Sequence, residues 1–175
     1  SELERAVRTP SPDRILAVRI AMVGGYSDAE LHRLSAIDPW FLAKLRGLIV
    51  AERRLLTGRS LEDLRAGELL ELKQLGFSDR QIGWATGRGE LEVRSHRQVL
   101  GINVVFKTVD TCAAEFASST PYHYSTYERP LERIGADGQL VVLPAADEVQ
   151  PETRRKVMIL GGGPNRIGQG IEFDY

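Results

Sequence analysis

The sequence predicts a mainly α-helical unit with a few short strands, ending in the first β-strand and glycine turn of an α/β domain. Three observations carry this. Residues 1–101 repeat one pattern of helix cap, amphipathic run and glycine stop. Beyond Gly101 the texture becomes β-branched and aromatic. The end of the chain places a short apolar run, Val157 to Leu160, directly before a glycine cluster at Gly161, Gly162, Gly163 and Gly168. That is how the first strand of a nucleotide-type α/β domain meets its first turn.

The helical elements follow in order. Ser11-Pro12-Asp13 reads as a cap with proline at the first helical position, opening a helix that carries Ile15, Leu16, Val18 and Met22 and stops at Gly24-Gly25. Ser27-x-x-Glu30 is a capping box that opens a short helix through Leu31 and Leu34. Asp38-Pro39 opens a longer one over residues 39–56, with Phe41, Leu42, Leu45, Leu48 and Ile49 at helical spacing. Residues 61–75 read as one helix ending at Gly76. Ser78-x-x-Gln81 caps a short helix stopped by Gly87, and residues 90–100 form the last, ending at Gly101. Each of these is too short to be stable alone, so stability must come from packing their apolar stripes together.

Residues 103–109 and 121–127 read as extended segments, residues 135–138 as a turn and residues 140–143 as a short extended run. Residues 144–155 are charged, proline-bearing and non-periodic, which reads as a linker. The division expected is therefore 1–150 for the helical unit and its mixed segment, and 151–175 for the opening of the next domain. A domain that has only begun cannot bury a core, so the chain is expected to be part of something longer.

Composition narrows the function. A net charge of −1 gives no bulk attraction to nucleic acid or anionic membrane. Apolar runs fall short of the roughly 18 residues of a membrane span. The single cysteine, Cys112, excludes a disulfide framework and fits a reducing cytoplasm. Cys112 has no histidine near it in sequence, and nothing in the sequence brings His96 or His123 to it, so packing is its default role. His32, His96 and His123 lack ligand spacing, so no metal site is expected. Trp40 and Trp84 lie beside aliphatic residues, as core or interface aromatics do.

Two phosphate-loop patterns fail at the glycine cluster. A dinucleotide fingerprint needs glycine where Arg166 stands, and a P-loop needs lysine where Gln169 stands. Residues 78–100 have the outline of a helix-turn-helix, with Arg94, His96 and Arg97 on the second helix, which makes a small DNA-binding regulator the alternative reading. Glu90 and Glu92 in the first turn of that helix would face phosphates and speak against it.

Three segments and the C-terminal run are more specific than any of these. They are Ile37-Asp38-Pro39-Trp40-Phe41-Leu42, Leu75-Gly76-Phe77-Ser78-Asp79, and residues 106–116 (FKTVDTCAAEF) continuing through residues 122–128 (YHYSTYE). Followed by residues 161–175 (GGGPNRIGQGIEFDY), they resemble the large subunit of carbamoyl phosphate synthase over nearly the whole chain, with residues 129–155 resembling it least. The resemblance implies a helical oligomerisation domain that connects two ATP-grasp synthetase halves, followed by the start of the pre-ATP-grasp domain of the second half. It implies a parent ATP-dependent carbon–nitrogen ligase that makes carbamoyl phosphate from bicarbonate, ammonia and two ATP for arginine and pyrimidine biosynthesis. Magnesium, potassium and a small glutamine amidotransferase subunit are implied for that parent. For this chain it implies self-association through the helices, no catalytic, cofactor-binding or metal-binding residue, and no nucleic acid or membrane partner. Gly170 and Glu172 match positions bordering the carbamate tunnel. For Glu172 the alternative is a helix-start charge with a local structural partner. For the helix over residues 39–56, an interface and an internal core both remain open as destinations of its apolar stripe.

Overall fold

The computed structural model describes residues 1–113, 115–117 and 122–158. Within them are seven α-helices, one 3₁₀ turn and four short strands. The mainly helical class holds, and so do the helices α3 (Asp28–Ser35), α4 (Pro39–Leu55), α6 (Asp79–Thr86) and α7 (Glu90–Val99). Their starts are capped as the sequence indicates. Ser27 and Glu30 exchange hydrogen bonds across the start of α3, Ser78 and Gln81 do so for α6, and Asp38 Oδ1 accepts the Trp40 N–H at 2.8 Å. Gly87, φ 70°, ends α6 and Gly101, φ 75°, follows α7, where glycine is free to take positive φ; α3 instead ends on Ala36 at φ 57°.

Several elements differ from expectation. A first helix, α1 (Glu2–Arg8), precedes the predicted ones, opened by a Ser1–Glu4 capping box whose Ser-x-x-Glu signature is present in the sequence. Helix α2 runs Arg14–Val23 with Asp13 as its N-cap residue, and Asp13 makes no side-chain cap bond. Ser11 does not cap it: the Ser11 carbonyl accepts the Arg14 N–H in a turn before the helix. The single helix expected over residues 61–75 is two pieces, a 3₁₀ turn (Leu61–Asp63) and α5 (Ala66–Gln74). The physical cause is local. Asp63 bonds back to the Ser60 N–H, and Glu68 bonds back to the Arg65 N–H at 2.9 Å, so two start signals follow one another and Leu64 and Arg65 stay extended between them.

The helices form two packed clusters joined by α4. Val7, Val18, Leu31 and Leu42 lie in the first, and Leu69, Leu72, Ile82 and Val93 in the second, all fully buried. Helix α4 is about 25 Å long at 1.5 Å per residue. It gives Leu42 and Ile49 to the first cluster and Leu55 to the second, and so acts as the spine. Arginines fasten the ends of neighbouring elements. Arg14 donates to the Val7 and Ser35 carbonyls, and Arg46 to Asp28 and to the Tyr26 carbonyl.

After α7 the chain makes two antiparallel hairpins. Strand β1 (Val105–Thr108) pairs with β2 (His123–Thr126), and β3 (Leu131–Ile134) pairs with β4 (Leu140–Leu143). Strand β3 was not anticipated. Its residues are all exposed, so neither burial nor alternation marks it, and it exists as the partner that the turn at residues 135–138 supplies for β4. The first hairpin meets the second helical cluster through Tyr127, just past β2, while Ile102, just before β1, belongs to that cluster. Of the expected C-terminal strand, Val157 and Met158 are exposed and irregular, while Ile159 and Leu160 lie outside the described residues.

Candidate functional site

The predicted site residues Gly161, Gly162, Gly163, Gly168, Gly170 and Glu172 all lie outside the described residues. Cys112 is half-buried and its backbone N–H donates to Asp110 Oδ1 at 2.8 Å. Among the described residues, no group of three or more His, Cys, Asp or Glu could hold a metal ion, and no helix is long and apolar enough to cross a membrane.

Helices α6 and α7 follow one another across the Gly87 turn, but their chemistry does not suit DNA. Helix α7 packs on α6, and Gly83 lets the Arg88 carbonyl approach closely. Arg97, which a DNA reading would need at the surface, is turned inward. Its Nε donates to Asp79 at 2.9 Å and its Nη1 to the Ile102 carbonyl at 3.0 Å. Lys73 Nζ meets the same carboxylate at 2.8 Å and also donates to the Phe77 carbonyl. The three side chains are 7–11% exposed, and both cations lie over the Tyr127 ring. Burial pushes the Asp79 carboxyl up, but the bonds from Lys73 and Arg97 outweigh it and hold the group below its ordinary range. This cluster joins α5, α6, α7 and β2's exit; no single stretch of sequence could have revealed it.

What the fold does present is apolar surface along α4. Trp40 and Phe41 stand at its N-terminal end, 60% and 58% exposed, in edge-to-face contact with ring centroids 5.0 Å apart. Lys44 Nζ lies over the Trp40 ring. Farther along the same helix, Leu45, Leu48 and Ile49 floor a groove of about 570 Å³ between the two clusters. Ile15 and Leu16 of α2 form one wall, and Leu75 and Trp84 the other. Trp84, read from sequence as a core or interface aromatic, is 84% exposed, so no internal core takes it. The Arg19–Glu52 ion pair, at 2.8 Å, sits on the groove's rim. Contiguous exposed aromatic and aliphatic side chains of this kind mark an interaction surface.

Acid should destabilise the fold. Hydrogen bonds from Arg59 and Arg65 hold Glu68 well below the usual carboxylate range, the backbone N–H of Ser60 lowers Asp63, and the Ser27 hydroxyl lowers Glu30. Each binds its proton more tightly unfolded than folded, so the stability they contribute is complete above the ordinary carboxylate range, about pH 4–4.5. It is lost as pH falls through the lower folded-state values. Melting curves should show a plateau near neutrality and a fall in Tm beginning below that range; a Tm that does not change down to pH 3 would contradict this.

Fold and surface together define a helical unit with an exposed apolar face along α4. Residues 1–101 match the family described as carbamoyl-phosphate synthetase large chain, oligomerisation domain, and residues 153–175 match the carbamoyl phosphate synthase preATP-grasp domain. The chain belongs to the carbamoyl-phosphate synthetase large-chain family. It is 51% identical, over all of its length, to the carbamoyl phosphate synthase large chain of Synechocystis sp., and 49% identical over 99% of its length to that of Nostoc sp.. It is 45% identical over 99% of its length to the arginine-specific, chloroplastic large chain of Arabidopsis thaliana. It spans 13–15% of the length of these relatives. The DNA-binding alternative has no support from the site or from these matches.

Proposed function

We propose that this chain is the connecting and oligomerisation segment of a carbamoyl phosphate synthase large chain, and that it self-associates through the α4 face. The observation that carries the reading is the exposed Trp40–Phe41 pair and adjoining groove on a chain that matches an oligomerisation domain. The parent reaction is ATP-dependent ligation of ammonia, drawn from glutamine by a small amidotransferase subunit, to bicarbonate, with two ATP consumed. Magnesium and potassium serve that parent, in the cytoplasm, for arginine and pyrimidine biosynthesis; the arginine-specific relative supports the first pathway. In this chain Gly170 and Glu172 are proposed to border the carbamate passage, where glycine leaves room beside the backbone. The described residues do the mechanical part: α4 spaces two helical clusters, and their apolar faces receive a second copy.

Light scattering tests the self-association. The wild-type chain should show a mass above that of one chain, rising with concentration. Phe41→Ala should shift the mass toward one chain while the helical signal persists, with stability changed by only about 0.5 kcal/mol as for other surface positions. A mass of one chain at high concentration would reject the reading and leave the groove to another part of a longer chain.

A further inference from the structure

Strand β1 uses alternate backbone groups to pair with β2. Just past its end the Val109 N–H donates to the Tyr122 carbonyl at 2.9 Å, so the odd-numbered positions face β2. Phe106 and Thr108 therefore turn their backbone groups the other way, toward what would be an open sheet edge. Open edges invite strand addition by other chains.

This edge is closed by a dipeptide from the segment read as a linker. Asp147 Oδ1 accepts the Phe106 N–H at 2.7 Å, Glu148 Oε2 accepts the Thr108 N–H at 2.9 Å, and the Glu148 N–H donates to the Phe106 carbonyl at 2.9 Å. The three bonds take the places a third strand would fill, with side-chain carboxylates standing where its carbonyls would be. The other Glu148 oxygen is held by Lys107 Nζ at 3.3 Å, and Lys107 is shared with Glu128 at 3.2 Å. Charged acceptors make these bonds stronger than neutral ones.

We propose that Asp147 and Glu148 form an acidic strap that shuts the β1 edge and ties the departing segment to the first hairpin, setting where residues 149–158 leave the helical unit. The strap stands on these contacts alone and does not depend on self-association or on the parent reaction.

Amide hydrogen exchange by NMR on the whole chain tests it. In Asp147→Ala the Phe106 amide, and in Glu148→Ala the Thr108 amide, should exchange about tenfold faster or more, as expected for losing one charge-assisted bond. The Lys107 amide, which faces β2, and the Leu72 amide in the helical core should keep their wild-type rates. Glu148→Gln retains an acceptor oxygen and should accelerate Thr108 less than Glu148→Ala does. Unchanged exchange at Phe106 and Thr108 would overturn the strap, and so would an acceleration shared equally by Leu72.

Discussion

Asp79→Ala should cost about 3 kcal/mol, the low end for breaking a buried ion pair. The substitution removes the carboxylate that Lys73 and Arg97 share and leaves two cations in a site where the side chains are about one-tenth exposed. The loss is held to the low end because each cation keeps a second partner, the Phe77 carbonyl for Lys73 and the Ile102 carbonyl for Arg97. Asp79→Asn keeps an acceptor but not the charge, and should fall between wild type and alanine. Urea denaturation at neutral pH measures both. A loss below about 1 kcal/mol for Asp79→Ala, the range of an exposed pair, would show that the cluster is solvated and not a fastening between helices and hairpin.

Gly83→Ala should destabilise by about 1–3 kcal/mol, against the direction that helix propensity gives. Glycine inside a helix is about 1 kcal/mol worse than alanine, so propensity alone makes the change favourable. At Gly83 a Cβ would lie 2.6 Å from the Arg88 carbonyl oxygen and 3.3 Å from the Gly89 carbonyl carbon. Both are backbone atoms of the turn into α7, so relief requires α6 and α7 to separate. Gly47 in α4 is the internal control. Nothing lies within 4 Å of a Cβ built there, so Gly47→Ala should stabilise by about 0.4–1 kcal/mol. If both substitutions stabilise equally in thermal melts, the α6–α7 contact is looser than described.

Much of the helical order was legible because its signals are local. Ser27 with Glu30, Ser78 with Gln81 and Asp38 with Pro39 each declare a helix start within four residues, and Gly76, Gly87 and Gly101 declare the ends. Where two local signals compete the reading failed. The back-to-back bonds of Asp63 and Glu68 divide what apolar spacing alone makes one helix. Helix α1 opens on the same box in Ser1 and Glu4, and β3, a strand of a two-stranded hairpin with exposed residues, leaves no burial pattern in the sequence.

By itself, then, the sequence determined the helical class, most helix starts and stops, the extended character of β1, β2 and β4, and, through runs such as residues 106–116, the family. The tertiary structure decided which apolar residues are core and which are surface. Phe41 and Leu42 are neighbours on one amphipathic helix, yet Leu42 is fully buried and Phe41 is exposed, because only the neighbouring helices fix which arc of α4 is covered. It also decided the partners of charges. Lys73, Asp79 and Arg97 converge from three helices, and Asp147 and Glu148 return to β1 across some forty residues of chain. Caps act between residues a few positions apart and can be read in order; ion clusters and edge closures act between surfaces that exist only after the helices have packed.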